Sequence, residues 1–157
     1  MLNVIRQYIP HDWDENLGNC TDLSQYSDEY KSVINDVNEA LQTTTIANRR
    51  IQRVQDIYAF GQFLIREQQL LKSESTTLYR VRRFVQVSRL YVNKVVEYNL
   101  DQRRCGLGQS LTLNRKLNYY DPNKVIVVVK VLETDPQSSE TTVKRSSDYY
   151  VEYIVHI

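Results

Sequence analysis

Cysteine and histidine are scarce in this sequence. There are two of each, Cys20 and Cys105, His11 and His156, and no CxxC or other metal-type spacing joins them. A zinc site would need all four to converge, so metal chemistry is set aside and no metal ligand is assigned. Long apolar runs are missing too. The longest, "VIVVV" at 125–129, is far too short to cross a bilayer as a helix. No charged start followed by an apolar stretch marks a secretory leader at the N-terminus. Two unpaired thiols and no leader predict an intracellular protein, nucleus or cytoplasm not distinguished, with no membrane partner. A strong charge of either sign is absent as well. The formal net charge is +1 with 41% hydrophobic residues, which excludes a disordered polyelectrolyte and lacks the basic excess of a dedicated nucleic-acid domain. Neither repeats nor low-complexity linkers interrupt the chain. Its 157 residues predict one compact unit over 1–157, with a place in a longer chain left open.

What is present is an uneven distribution of charge. Residues 1–45 hold 2 Lys+Arg against 8 Asp+Glu, and residues 46–157 hold 18 against 11. An acidic leader, about 1–26, is expected to cover or flank a basic body. Many of the arginines come in pairs: Arg49 and Arg50, Arg82 and Arg83, Arg103 and Arg104. Interleaved with tyrosines, such pairs can grip phosphate or stack on bases. The plainer alternative makes them solvated strand edges and ion-pair partners of the leader. Arg82, Arg83, Arg103 and Arg104 are the candidate interaction residues.

Periodicity separates two halves. Ser27 is a good N-cap for a helix over "DEYKSVINDVNEALQ", with Asp28 and Glu29 favoured in its first turn. Tyr30, Val33, Ile34, Val37 and Leu41 form its apolar face. "TTTIANRRIQRVQ" is rich in β-branched residues and predicts a strand. Asp56 is placed to cap a second helix whose face is Ile57, Phe60, Phe63, Leu64 and Leu71, with Gly61 weakening it slightly. "TTLYRVRRFVQVS" reads as one strand or a hairpin, Leu90–Tyr98 as a helix, and "LGQSLTL" as a strand that alternates from Leu107 to Leu113. "KVIVVVKVL" is the continuous run of a strand buried on both faces. "DPQSS" marks a turn. The last strands are "ETTVKR" and "YYVEYIVHI", with Val151, Tyr153, Val155 and Ile157 on one face. Helices early and strands late predict an α+β fold.

The collinear order "RRIQRVQ", "RFVQVS…VVEYNLDQRRCG", "LGQSLTLNRKLNYY" and "YYVEYIVHI" resembles the catalytic domain of the poly(ADP-ribose) polymerase family, closest to its mono-ADP-ribosylating or inactive members. Phe84 and Ser88 match the ends of the family's Phe-His-Gly-Thr-Ser motif. Asn99, Leu100 and Asp101 match Asn-Phe-Asp, with Arg103, Cys105 and Gly106 continuing it. Gly108 and Gln109 fall in the Gly-Gln-Gly-Ser segment, and Tyr150, Glu152 and Tyr153 echo the terminal strand. Pro10 with Trp13, and Ser27 to Tyr30, resemble the domain's opening. The resemblance implies an ADP-ribosyltransferase-like domain, its helices mainly N-terminal and packed on a mostly antiparallel split sheet.

The same resemblance places the family's NAD-holding residues. Its histidine falls at Val85, the following glycine at Gln86, its strand tyrosine at Thr112, its amide-gripping serine at Tyr120, a second stacking tyrosine near Asn123, and the third triad member at or beside Glu140. Ser88 keeps a cofactor-side position. Valine offers no hydrogen bond to a ribose hydroxyl, Gln86 puts a side chain where the ligand needs bare backbone, and Thr112 has no ring. Three readings are open. The first is an inactive domain without NAD, used to bind another protein or as a scaffold. The second is an active mono-ADP-ribosyltransferase that uses NAD, Glu140 and Tyr119 or Tyr120. The third is nucleic-acid binding through the arginine pairs. Cys105 beside Arg103 and Arg104 is either a lowered-pKa thiol or a fold residue.

Overall fold

A computed structural model describes residues 2–14, 18–43, 49–73 and 76–157. Helix α1 (Leu2–Arg6) and strand β1 (Cys20–Asp22) come from the leader, and after them α2 (Asp28–Ala40), β2 (Arg50–Val54) and α3 (Ile57–Ser73). Then come β3 (Tyr79–Ser88), a 3-10 turn at Arg89–Tyr91, α4 (Val92–Glu97), β4 (Leu111–Asn114), β5 (Lys124–Glu133), β6 (Glu140–Val143) and β7 (Tyr149–His156). The α+β reading holds.

Local chemistry explains the helix starts. Ser27 sits extended at φ −70, ψ 150, and its hydroxyl accepts from the Tyr30 N–H at 3.1 Å. Asp56 Oδ1 accepts from the N–H groups of Tyr58 and Ala59, both at 3.0 Å, so each helix has an orphan donor satisfied. In α2, Tyr30, Val33, Ile34 and Val37 are buried as their spacing requires. In α3, Phe60 and Phe63 are buried but Leu71, near the helix end, is half exposed, which corrects its assignment to the apolar face.

The strands form one seven-stranded antiparallel sheet in the order β1-β2-β7-β5-β3-β4-β6. The ten-residue β5 lies between β7 and β3, and Val125 to Val129 have no exposure; this is why the run does not alternate. One face of the sheet, with Ile51, Phe84, Ile126, Val128, Tyr153 and Val155, packs under α2. The other, with Val85, Val87, Val125, Val127 and Val129, packs against Val95 of α4, Leu100 and Cys105. Helix α3 covers one end, where Tyr150 meets the rings of Phe60 and Phe63 edge-on at 5.3 and 4.9 Å.

Two strand readings change. Only Leu111–Asn114 of the "LGQSLTL" stretch and its neighbour is strand; Gly106 (φ 68) and Gly108 (φ 85) are left-handed and turn the chain before it. In β7 the register slips, Val128 opposing Tyr153 and Val129 opposing Val151, so Glu152 is the extra residue of a bulge. One inserted residue inverts the side-chain parity. Val151 therefore faces the α4 side, not the side of Tyr153 and Val155. The first part of the predicted strand before β2, residues 44–48, lies outside the described residues.

The leader packs on the body. Strand β1 pairs with β2, and the Trp13 ring lies 5.4 Å from Phe60. A Cβ at Gly61 would stand 2.5 Å from Ile5 Cδ1, so the glycine inside α3 admits α1. Arg50 reaches Asp22 at 3.1 Å, and Arg53 pairs with Glu29. Arg50 is thereby an ion-pair partner of the acidic leader, and Arg53 of Glu29 just beyond it.

Candidate functional site

The candidate positions cluster where the sheet divides. β3 pairs with β4 only at Phe84 and Asn114, while it pairs with β5 along all ten residues. Past Phe84, β3 pairs with β5 alone while Leu111–Leu113 of β4 pair with β6, so the sheet divides here.

The three triad positions do not converge. Val85 is 8% exposed and belongs to the apolar cluster of Leu111, Leu113 and Val127. Thr112 opposes Thr142, and Glu140 opposes Asn114, which itself opposes Phe84. Alternation along β4 thus turns Thr112 away from the face that Val85, Leu111 and Leu113 share, and Glu140 goes with Asn114 and Thr112. Glu140 is also exposed and two strands from β3, about 10 Å at the usual strand spacing. Shifting the register by one would put Leu111 or Leu113 at the tyrosine position, and neither has a ring to stack.

Gln86 ties β3 to the loop between β4 and β5. Its Nε2 donates to the Tyr119 carbonyl at 2.8 Å, and its Oε1 accepts from the Asp121 N–H at 2.9 Å. One carboxamide thus takes a donor and an acceptor on either side of Tyr120. The loop between β4 and β5 is held at further points. Leu117 is buried under α2 and its N–H donates to the Ala40 carbonyl at 2.8 Å. The Tyr120 hydroxyl donates to the Ile157 main-chain oxygen at 2.8 Å. Arg89 donates through Nε to the Pro122 carbonyl at 3.1 Å and through Nη2 to the same Ile157 oxygen at 2.5 Å. Ser88 is engaged locally, its hydroxyl accepting from the Leu90 N–H at 3.4 Å as the cap of the 3-10 turn. Asn123 is exposed, and its N–H donates to Asp121 Oδ1 at 2.9 Å.

The arginine pairs separate into inner and outer ones. Arg82 donates to Asp36 Oδ2 at 2.6 Å and Glu152 Oε2 at 2.9 Å, and its guanidinium lies 5.4 Å from the Tyr153 ring. The bulge at Glu152 supplies this carboxylate, which also meets Lys130 at 3.5 Å. Arg83 is 3% exposed and bonds Glu133 at 2.9 Å plus the carbonyls of Pro136 and Ser138. Both were expected to face a partner. Instead strand alternation sends them to opposite faces of the sheet, where each holds structure together, and Arg83 is buried. Arg103, 3.6 Å from Asp101, and Arg104, over the Tyr98 ring at 4.1 Å, do stay at the surface.

Burial sets the titrations. The Cys105 thiol is 1% exposed and is pushed up to about 11 by burial, with Asp101 adding to the shift; the lowered-pKa reading of this thiol is corrected. Burial likewise raises Glu133 above the usual carboxylate range against the charge and hydrogen bond of Arg83. Glu29 goes the other way. Burial alone would raise it, but hydrogen bonds from Arg53 and Tyr153 and the nearby arginine charges leave it lowered. Among the described residues no group of three or more His, Cys, Asp or Glu side chains could hold a metal ion, and no helix is long and apolar enough to cross a membrane.

Sequence reasoning missed Arg89, Asn99 and Glu133. Asn99, left-handed at φ 45, accepts from the Val151 N–H at 3.0 Å and donates to the Tyr149 carbonyl at 3.3 Å. It thereby serves a β7 edge that β2 does not reach. The resemblance singled out Asn99 without a role. Glu133 has a signal, being the lone acid that ends the apolar run of β5.

No protein-family model matches the sequence, and no curated protein matches it either. A solved structure does. The TASOR pseudo-PARP domain is similar with a TM-score of 0.65 at 14% identity, over 88% of this chain and 98% of that one. The fold is ADP-ribosyltransferase-like. Within that fold the division between β3 and β4 is where the resemblance puts NAD, and the residues standing there do not fit it. Val85 and Leu111 are apolar and buried, and the carboxamide of Gln86 is already taken by the main chain of Tyr119 and Asp121.

Proposed function

We propose that this chain is a catalytically inactive ADP-ribosyltransferase-like domain that neither binds nor turns over NAD and acts by binding another protein. One observation carries the first half. By resemblance, positions 86 and 120 belong to the glycine and serine that hold the nicotinamide amide. Here the amide spanning them belongs to the protein: Gln86 donates to Tyr119 and accepts from Asp121. NAD would have to displace two hydrogen bonds on the Phe84 face of β3, and Val85, on the opposite face, offers it no polar atom. The solved structure of similar fold is itself called a pseudo-PARP domain, which supports the same reading.

The binding half rests on surface chemistry. Arg103 and Arg104 line a cavity of about 520 Å³ together with Lys144, Arg145 and Tyr58. A tyrosine and arginine rim of this kind is enriched in protein interfaces, and we assign this face to a protein partner. Free thiols at Cys20 and Cys105 support an intracellular setting. Nucleic acid is disfavoured because Arg82 and Arg83 are committed inside the domain.

Incubation with radiolabelled NAD tests the reading. No label is expected on the protein or on added acceptor protein. Incorporation that disappears in Glu140→Ala would overturn it in favour of an active mono-ADP-ribosyltransferase.

A further inference from the structure

The end of the sheet where β5 turns towards β6 holds a carboxylate only half satisfied. Arg83 and Glu133 pair at 2.9 Å with side chains 4% and 6% exposed. Arg83 has several acceptors: Glu133 Oε2 and the carbonyls of Arg82, Pro136 and Ser138. Among the described residues Glu133 Oε1 has no hydrogen-bond partner, and neither do Arg83 Nε and the buried hydroxyl of Thr141 on β6. Buried polar atoms of this kind are rare in folded proteins and call for an explanation.

Both residues line one cavity of about 460 Å³, large enough for a long side chain. Its wall includes Leu70 and Leu78, and its rim carries Asp135 and Glu140, both exposed. The Arg66–Asp148 pair in the wall is closed on itself at 2.8 Å. With Lys144 and the Arg83–Glu133 pair included, the lining keeps a net negative charge.

The rim is also a sheet edge. Among the described residues β6 is the last strand of the sheet, pairing with β4 alone. Arg115 donates to the Ser139 carbonyl at 2.9 Å, so residues 139, 141 and 143 turn their main-chain groups to β4, and Glu140 and Thr142 turn theirs outward. The Glu140 carbonyl is taken by the Ser138 hydroxyl at 2.8 Å. The outward groups of Thr142 and the Glu140 N–H remain for another strand.

We infer that this edge and cavity are a docking site for an extended segment of a partner protein that adds to β6 and inserts an arginine. Guanidinium offers five donors in a rigid plane, enough to reach two acceptors at once, Glu133 Oε1 and Thr141 Oγ1. Its methylene stem lies along Leu70 and Leu78. Main-chain pairing with Thr142 sets the direction of the segment. The inference rests on the protein-binding reading above and names the partner's chemistry at a face separate from Arg103 and Arg104.

The test is a titration of the ¹⁵N-labelled protein with acetyl-Thr-Val-Arg-Val-Thr-amide, monitored by amide shifts, with the same peptide carrying citrulline for arginine as the neutral control. Saturable shifts confined to Arg66, residues 132–142 and their β4 neighbours are expected, with the citrulline peptide weaker by about tenfold or more. Asp135→Lys and Glu140→Lys, both at exposed positions, are expected to weaken the arginine peptide similarly while the spectrum keeps its dispersion. Lys31→Gln, at an exposed position on α2, is expected to leave it unchanged. Equal binding of the two peptides, shifts elsewhere, or no response overturns the proposal. The labelled-NAD assay separates the two readings. A chain that transfers ADP-ribose and still binds the arginine peptide loses only the inactive reading, and an inert chain without a peptide response loses only this one.

Discussion

Replacing Gln86 with leucine tests the bridge from β3 to the loop between β4 and β5. Leucine keeps the size and removes both polar atoms, so the Tyr119 carbonyl and the Asp121 N–H lose their partners. Each neutral hydrogen bond contributes about 0.5–1.5 kcal/mol. Because the side chain is only partly buried, water recovers some of the loss, and a total of about 1–2 kcal/mol is expected. For a chain of this length each kcal/mol moves Tm by about 2–4 °C, so Gln86→Leu is expected to melt roughly 2–8 °C lower by circular dichroism. Hydrogen exchange gives the local readout, with the Asp121 amide losing protection before the amides of β5 do. Gln86→Gly, which restores the family residue, is expected to lose the same bonds without gaining NAD binding, since Val85 and Tyr120 remain. An unchanged Tm together with unchanged Asp121 protection in Gln86→Leu would refute the argument.

Three further outcomes rest on the same physics. Gly106 is left-handed at φ 68, and an added Cβ would stand 2.9 Å from Tyr91 Cε2; Gly106→Ala is expected to cost about 1–3 kcal/mol in urea unfolding. Glu29 has a folded pKa below its ordinary 4.5, so its contribution is complete above pH 4.5 and is lost as pH falls through the lower folded value. Comparing urea midpoints of the parent and Glu29→Gln from neutral to acid should show the gap between them closing in that acid window. Cys105, buried and titrating at about 11, is expected to react with a thiol reagent at pH 8 only on unfolding, which comparing labelling in buffer and in urea would check.

The sequence made the helices legible because their signals are local. Ser27 and Asp56 each cap the helix directly after them, and the α2 stripe from Tyr30 to Val37 needs no distant partner to be read. β5 was equally open to reading, since five consecutive valines and isoleucines suit only a strand covered twice. Parity in β7 was not. The bulge at Glu152 sets its carboxylate against Arg82 and Lys130, both more than twenty residues away, and no window of β7 alone contains these partners. Arg82 and Arg83 were misread for a related reason. Adjacent residues on a strand point oppositely, so a pair in sequence is not a pair in space, and their partners Asp36, Glu152 and Glu133 lie on other elements.

The site was legible as a set of losses but not as a replacement. Val85 and Gln86 stand out against the family motif from sequence alone. That the Gln86 carboxamide would bridge to the main chain on either side of Tyr120 depends on how the loop from Arg115 to Asn123 returns to β3, which is a tertiary matter. Glu140 and Thr112 fell on the face away from Val85 because β4 alternates, and the short motif offered no way to fix its register.

Isothermal titration of the protein with NAD tests the central claim most directly. No saturable heat, and no rise in Tm under the same conditions, is expected up to millimolar NAD. A saturable isotherm accompanied by stabilisation that grows with ligand, about 2.7 kcal/mol at a hundredfold excess over Kd, would show that the Gln86 bridge yields to the cofactor and would contradict it.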